Sequence, residues 1–327
     1  MMEDIFREYL EGRKLGPKEI DFSLSVVREF EQHLEKEKMS FESADLPALK
    51  EYISLLMEEG RNSMERLLAI ARYCNLAKKN DYFTYLVAIL GARNVLPDMG
   101  ERLAAIAGDE TRCKVFQGFQ MPPPGSSNDD YPKLTKMVVD KMEAQLPAEI
   151  CKKVLTWNYH KVPVEAFKER KERFEKANSI DEYLKDEHRR LVEEMEECMK
   201  EGRLWFEQEI TPEVVEFVKS NQEICTGIRK GDRVYITKIP FDPKRYLKEK
   251  NPTLKRYYAC HCPLVRTALR DGKPKISPMF CYCSGGYEKL HFDVIFGELV
   301  EVELLETPLK GDMRCRFANK IPKGKMK

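Results

Sequence analysis

The chain has 327 residues, of which 42% are hydrophobic, 34% charged and 10% aromatic, and this composition excludes a collagen-like, low-complexity or wholly disordered protein. No apolar run approaches the roughly 20 residues that span a bilayer, and the start MMEDIFR lacks the pattern of a secretion signal, so we expect a cytoplasmic protein with no membrane partner. The formal net charge of +1 hides an asymmetry, because residues 1–100 carry 14 Lys and Arg against 18 Asp and Glu, whereas residues 225–327 carry 22 against 11.

The basic C-terminal third has two interpretations. It favours an anionic ligand or an acidic partner for that part of the chain. It is equally compatible with docking on the acidic middle block, residues 101–224, of the same chain. Charge alone leaves both interpretations open.

Helical periodicity dominates the first part of the chain. Leu24, Val27, Phe30 and Leu34 recur at a spacing that places them on one helical face. Residues that favour a helix start precede the later apolar runs. The predicted helices are Phe22–Leu34, Pro47–Met57 after the cap candidate Asp45, one that begins at Ser63, and one from Asp81 through Leu90.

This succession of helices resembles the SAM-like core-binding domain of the tyrosine recombinase (integrase) family, a small helical bundle that grips DNA. The resemblance covers roughly the first 95 residues, and we extend the bundle to residues 1–118. The segment is acidic, whereas phosphate contacts need a basic surface. No histidine of the chain is followed three residues later by an arginine, so the recombinase catalytic set is missing and a recombinase is excluded. Packing or homo-oligomerisation is the other interpretation, beside nucleic-acid binding.

A proline-rich segment, Met121–Pro132, marks a domain boundary, because its four prolines with Gly, Ser and Asn cannot continue a helix. We therefore expect a linker over residues 119–132 and a second domain over 133–327, helical to 222 and sheet-containing from 223. Its predicted helices are Lys133–Gln145, Pro147–Leu155, Pro163–Ala177, Ser179–Gly202, Pro212–Ser220, Pro263–Arg270 and Gly286–Phe296. Its predicted strands are Asp232–Ile239, Lys255–Cys262, Leu299–Leu305 and Met313–Ile321. The predicted fold class is α+β: an N-terminal all-helical bundle, then a helix-rich domain with an antiparallel sheet.

Five of the ten cysteines lie in the last 70 residues: Cys260, Cys262, Cys281, Cys283 and Cys315. Two C-x-C pairs precede predicted helices, and Pro263 at a first helical position would make Cys262 an N-cap. Cys283 and Ser284 stand at the entry to the next helix. Unpaired N–H groups and the helix dipole at such positions lower a thiol pKa or hold a carboxylate or phosphate.

Three interpretations of these thiols stay open. The five cysteines could ligate zinc or iron, although C-x-C is less typical of structural zinc than C-x₂-C. They could form a thiolate-centred active or ligand site, with positive charge added by Arg256, Arg266 and Lys289. They could also pack as small apolar groups, since free cysteine is commonly buried.

The C-terminal part carries a second resemblance. Cys281–Tyr287, then Ile295–Leu305 and Gly311–Phe317 with Ile321-Pro322, resemble the L-2-amino-thiazoline-4-carboxylic acid hydrolase family, which is similar to the four-vinyl-reductase ligand-binding domains. The match covers about residues 150–322. It implies an α+β domain that encloses a small molecule and, in the hydrolase branch, cleavage of a cyclic C–N bond in an anionic substrate.

In some four-vinyl-reductase-like domains cysteines near the closing hairpin bind zinc. By position Cys315 matches the final ligand, whereas Thr307 stands where another cysteine would be expected. Cys281, Cys283 or Glu306 could take that place.

These observations predict a small-anion-binding domain with a cysteine-lined pocket, in which a C–N bond could be hydrolysed. The candidate catalytic residues are Cys283, Cys262, His261 and His291, since imidazole commonly transfers protons near neutral pH. The candidate ligand-binding residues are Ser284, Gly285, Gly286, Arg256 and Arg266. The alternative is a metal-stabilised module whose helical bundle binds DNA or protein.

Overall fold

The computed structural model describes residues 2–91 and 93–325, which form two compact units. The first unit contains the described residues of 1–93 together with Gln120–Asp130. The second contains Asn94–Phe119 and the described residues from Tyr131 onward. This division differs from the predicted one in two places. Residues 94–118, predicted as part of the bundle, belong to the second unit, and residues 120–130, predicted as linker, belong to the first.

The proline-rich segment as far as Asp130 belongs to the first unit because its backbone is held there. Arg93 Nη1 donates to the carbonyl of Pro122 at 2.7 Å, and Asn62 Nδ2 donates to that of Pro124 at 2.6 Å. Gly125 has a φ of +92°, and a Cβ on it would lie 2.7 Å from Ile53 Cγ2. This part of the segment therefore packs against the bundle. It ends in a 3-10 helix, Asn128–Asp130, which leads directly into the helix Tyr131–Gln145.

Five helices build the first unit: α1 Glu3–Gly12, α2 Pro17–Lys36, α3 Leu46–Glu58, α4 Met64–Leu76 and α5 Asn80–Leu90. The predicted caps hold two of them, because Asp45 accepts from Ala48 N at 3.2 Å and Ser63 accepts from Arg66 N at 3.2 Å. The apolar stripe of α2 is buried in the core of the bundle with the inner faces of α3 and α4.

The second unit contains the remaining helices and the sheet. Its helices are α6 Val95–Ala107, α7 Asp109–Phe116, α8 Tyr131–Gln145, α9 Ala148–Leu155, α10 Lys168–Lys176, α11 Ile180–Glu201, α12 Pro212–Lys219, α13 Pro243–Lys248, α14 Pro252–Ala259, α15 Arg266–Asp271, α16 Tyr282–Glu288 and α17 Leu290–Phe296. Its strands are β1 Ile228–Lys230, β2 Arg233–Thr237, β3 Val302–Glu306 and β4 Arg316–Lys320. The predicted α+β fold class is confirmed.

The strands form one antiparallel sheet in the order β1-β2-β4-β3. Phe317 of β4 pairs with Ile236 of β2 on one side and with Leu304 of β3 on the other, so these three side chains share one face of the sheet. That face packs on α11 and α17 through Tyr183 and Phe292 among others. Within the described ranges, 2–91 and 93–325, no helix is both long and apolar enough to cross a membrane.

Among the predicted elements that differ from the structure, three lie next to the clustered cysteines. Residues 255–259 are helical rather than extended, because Asn251 caps α14 by accepting from Thr253 N and Leu254 N and Pro252 occupies its first position. The predicted helix from Pro263 begins at Arg266. The predicted helix Gly286–Phe296 is two short helices, α16 and α17.

Candidate functional site

The Cys260–Cys262 segment lies against the end of β2. Cys260 ends α14 in an extended conformation, and His261 Nε2 lies 2.6 Å from the carbonyl oxygen of Ile239. Because a carbonyl only accepts, the proton of the neutral ring resides on Nε2. The predicted arrangement of two thiols on one strand face does not exist here, since the segment is not a strand.

The other cysteines reach the same region from the start of α16 and the start of β4. Cys281 Sγ lies 2.8 Å from Thr307 Oγ1, the position at which the resemblance had led us to expect a cysteine. The carbonyl of Cys315 accepts from Lys238 N at 2.9 Å. The ends of β2 and β4 therefore bring the cysteine-bearing segments together around Lys238.

Lys238, the first residue after β2, is the charged centre of this region. Its Nζ lies 3.1 Å from Glu288 Oε1, with the two side chains 12% and 11% exposed. Nζ also donates to Ser284 Oγ at 3.4 Å and lies 5.0 Å from the centre of the Tyr287 ring. Burial works to lower the pKa of Lys238, but the attraction of Glu288 outweighs it and the pKa is raised. The lysine is therefore a fixed cation.

The thiols around this cation are protonated at neutral pH. Burial raises the pKa of Cys283 to about 12, and the charge of Lys238 offsets only part of the effect. Burial, followed by the proximity of Cys260 and Cys283, raises the pKa of Cys262 well above its ordinary value. The expected lowering of these pKa values is not met, because burial is the largest influence on both thiols. In addition, Val265 rather than Cys262 directly precedes α15, and Cys281 rather than Cys283 directly precedes α16.

Arg266, the first residue of α15, is a buried cation. It is 7% exposed, and its Nε and Nη1 are covered yet have no hydrogen-bond partner in the described chain. The guanidinium carbon lies 3.8 Å from the centre of the Phe241 ring and 5.4 Å from that of Tyr257. The ring contacts stabilise the faces of the guanidinium, whereas the N–H groups at its edge stay unsatisfied.

Comparison with known proteins gives no relative: the chain matches no family model, no curated protein and no solved structure. The candidate site therefore rests on its own geometry and charge.

The structure brings most of the predicted site residues together. Cys260, Cys262, His261 and Cys283 all lie within the electrostatic influence of Lys238. Cys281 and Cys315 are electrostatic neighbours of Cys260, and Ser284 bonds to the lysine. Arg266 acts on both Cys260 and His261.

Other predicted residues do not take part in these contacts. The His291 ring lies against that of Phe292, with ring centres 3.8 Å apart and ring planes tilted by 39°. Its pKa of about 3 reflects burial first and then the charge of Arg170. Arg256 bonds within its own helix, to Thr253 Oγ1 at 3.3 Å. Lys289 is paired with Asp293 at 2.6 Å.

The two glycines serve packing. A Cβ on Gly286 would overlap the backbone of Thr156 and Trp157, 2.6 Å from the carbonyl oxygen of Trp157. A Cβ on Gly285 would meet Phe317 and Val302 at ordinary contact distances of 3.4 and 3.5 Å. The close approach of α16 to the 156–157 backbone gives Gly286 a packing role, and the ligand-binding role of the pair stays a prediction.

The five cysteines do not form a recognisable metal site. In the part of the chain that the structure describes, no group of three or more His, Cys, Asp or Glu is arranged to hold a metal ion. A surface cavity of about 580 Å³ lies elsewhere, between the Val164–Lys171 and Asp293–Leu299 segments, and none of the predicted site residues lines it.

Sequence reasoning missed the charged partners of the site. Lys238 and Glu288 stand on a strand end and a short helix, 50 positions apart, and no motif links them. The ring beneath Arg266 comes from Phe241, in the loop after β2. The one available signal was the excess of Lys and Arg in the C-terminal third.

Proposed function

We propose that the second unit binds a small anionic molecule, with Arg266 as the group that receives its negative charge. The observation that carries the proposal is the buried guanidinium edge whose Nε and Nη1 have no partner. A buried charge without hydrogen bonds costs several kcal/mol. An anion supplies what is missing, because a carboxylate or phosphate oxygen accepts a charge-assisted hydrogen bond from a guanidinium N–H.

The surroundings of Arg266 support a ligand rather than a missing protein partner. Lys238 is already paired with Glu288. Arg266 is therefore the cation of this region for which the described residues provide no ion-pair partner within 4.0 Å, and the thiols and ring of Cys260, Cys262 and His261 are uncharged at neutral pH. Because Nε and Nη1 are covered, a ligand enters by local opening and is then enclosed.

Substitution of Arg266 tests this proposal. Arg266→Met should be as stable as the wild type or more stable in anion-free buffer, because it removes an uncompensated buried charge. Sodium acetate at a 100-fold excess over its Kd should stabilise the wild type by about 2.7 kcal/mol at constant ionic strength, with sodium chloride as reference and sodium phosphate as the second anion. The Arg266→Met protein should show no such stabilisation.

Arg256→Met is the matched control, since that arginine bonds within its own helix. It should respond to acetate like the wild type. A wild type that acetate and phosphate leave unchanged, or an Arg266→Met protein that acetate stabilises fully, would refute the proposal.

The resemblance to the hydrolase family adds to this proposal the hydrolysis of a C–N bond in the bound molecule. The raised pKa values of Cys262 and Cys283 do not favour a thiolate nucleophile. Incubation with 2-amino-thiazoline-4-carboxylate, followed by mass spectrometry for the gain of one water, tests the step, with Cys283→Ser as the comparison. The proposal further places the protein in the cytoplasm, where its ten unpaired cysteines would stay reduced.

A further inference from the structure

A tight turn lies beside the ring that supports Arg266. Trp205 and Gln208 exchange backbone hydrogen bonds of 3.0 and 2.9 Å, and Gln208 Nε2 donates to the carbonyl of Phe241 at 3.5 Å. Phe206, at the tip of the turn, is 71% exposed and has a φ of +54°. The turn is thus fixed next to Phe241 while its tip faces solvent.

Among the described residues, the carboxylate of Glu207 in this turn has no direct polar partner. In residues 2–91 and 93–325, no basic nitrogen lies within 4.0 Å of its carboxylate and no hydrogen-bond donor contacts it. Its electrostatic neighbours are Arg266 and Lys238. Partial burial raises the pKa of Glu207, and these two cations act against the rise.

Arg266 and Glu207 are therefore two oppositely charged groups that influence each other electrostatically, and within the described residues no ion pair joins them. Lys238 is satisfied by Glu288, which leaves the guanidinium and the carboxylate as the unmatched pair. Two opposite charges that are partly desolvated and apart lose hydration and gain no hydrogen bond. A molecule that reaches both groups would satisfy both.

We propose that the ligand is a zwitterion, with an anionic group on Arg266 and an amino group on Glu207. This inference rests on the proposed anion-binding function and adds the class of the molecule. Glu207 would favour the zwitterion, because a purely anionic ligand brings a second negative charge towards its carboxylate, whereas an ammonium group donates a hydrogen bond to it. Glu207 is thus the residue that discriminates between the two ligand classes.

Paired probes test the inference. The probes are acetate with glycine, propionate with β-alanine, and butyrate with 4-aminobutyrate, which share a carboxylate and differ in an amino group at increasing distance. Kd values are measured by isothermal titration calorimetry on the full chain. For the wild type at least one amino acid should bind about tenfold or more tightly than its partner carboxylate, the range of a charge-assisted hydrogen bond.

Glu207→Gln should bring that ratio close to one and leave carboxylate binding intact. Glu209→Gln is the matched control, because Glu209 lies two residues away and is paired with Lys244 at 2.6 Å on the surface. It should keep the wild-type preference. Arg266→Met should lose both members of each pair.

The outcomes separate the two proposals. If the wild type binds the carboxylates through Arg266 but prefers no amino acid, or if Glu207→Gln keeps the preference, the zwitterion inference is overturned and the anion-binding function stands. If neither class of probe binds the wild type, the anion-binding function is overturned and the inference falls with it.

Discussion

The replacement of Gly286 by alanine tests how closely α16 packs in the second unit. The added Cβ would lie 2.6 Å from the carbonyl oxygen and still closer to the amide nitrogen of Trp157, and 3.0 Å from the carbonyl carbon of Thr156. These are backbone atoms, which cannot rotate away as a side chain can. The helix and the 156–157 loop must separate.

The expected cost follows from two opposing effects. Alanine gains about 1 kcal/mol over glycine inside a helix, whereas overpacking of this kind costs about 1–3 kcal/mol. Since the clash is with backbone, we take the upper end and expect Gly286→Ala to lose about 2 kcal/mol net. For a unit of this size that lowers the unfolding midpoint by about 4–8 °C.

Gly285→Ala is the control, because its Cβ would make ordinary contacts at 3.4 and 3.5 Å with side chains. It should keep or gain stability, by up to about 1 kcal/mol. Tryptophan fluorescence suits the assay, since Trp157 and Trp205 both belong to the second unit. Equal stability of the two variants would refute the packing explanation and restore a ligand-binding role for Gly286.

Three further predictions concern the buried titratable groups. Cys283, with a pKa of about 12, should resist iodoacetamide at pH 8 in the native protein, while the exposed Cys113 reacts. Because thiols of the unfolded chain ionise near pH 9, the free energy of unfolding should fall between pH 9 and 12, and it should fall less in Cys283→Ser. Alkylation of Cys283 as fast as that of Cys113 in the native protein at pH 8 would contradict this. Burial, with the charge of Lys238, lowers the pKa of His261 to about 3, so the unfolded chain alone takes up this proton as pH falls from about 6.5. His261→Gln should therefore lose less stability than the wild type between pH 7 and 4 in urea titrations, and equal losses would disprove the assignment. Lys238→Met should cost about 3–5 kcal/mol because it leaves the 11% exposed Glu288 side chain unpaired. The double variant Lys238→Met/Glu288→Gln should regain part of that loss in the same titrations, and a double variant no more stable than the single one would speak against the ion pair.

Sequence patterns located the elements whose signals are local. Ser179 accepts from Glu182 N at 3.1 Å at the start of α11, and Gly202 ends that helix at a φ of +64°, as the sequence had indicated. The error at α14 has the same local origin. Two consecutive tyrosines favoured a strand, but the Asn251-Pro252 start signal prevailed.

The site could be predicted only in part, because its charges meet through tertiary structure. The C-x-C pairs identified the segments that converge, and the basic C-terminal third indicated an anion. The placement of the thiols near helix starts predicts lowered pKa values. Burial, which that placement does not reveal, is instead the first cause of the raised pKa of Cys262. Glu207 contributes from a turn 59 positions before Arg266, a distance over which spacing carries no information.

The anion site is tested most directly by a measurement on the guanidinium of Arg266 itself. In protein labelled with ¹⁵N-arginine, the Nε–H resonance of Arg266 is identified by its absence from Arg266→Met and is followed while acetate is added. An anion site at Arg266 predicts a saturable shift of this resonance, with those of Arg256 and other surface arginines nearly unchanged. A resonance that does not move, or one that moves no more than the surface arginines, would contradict an anion site at Arg266.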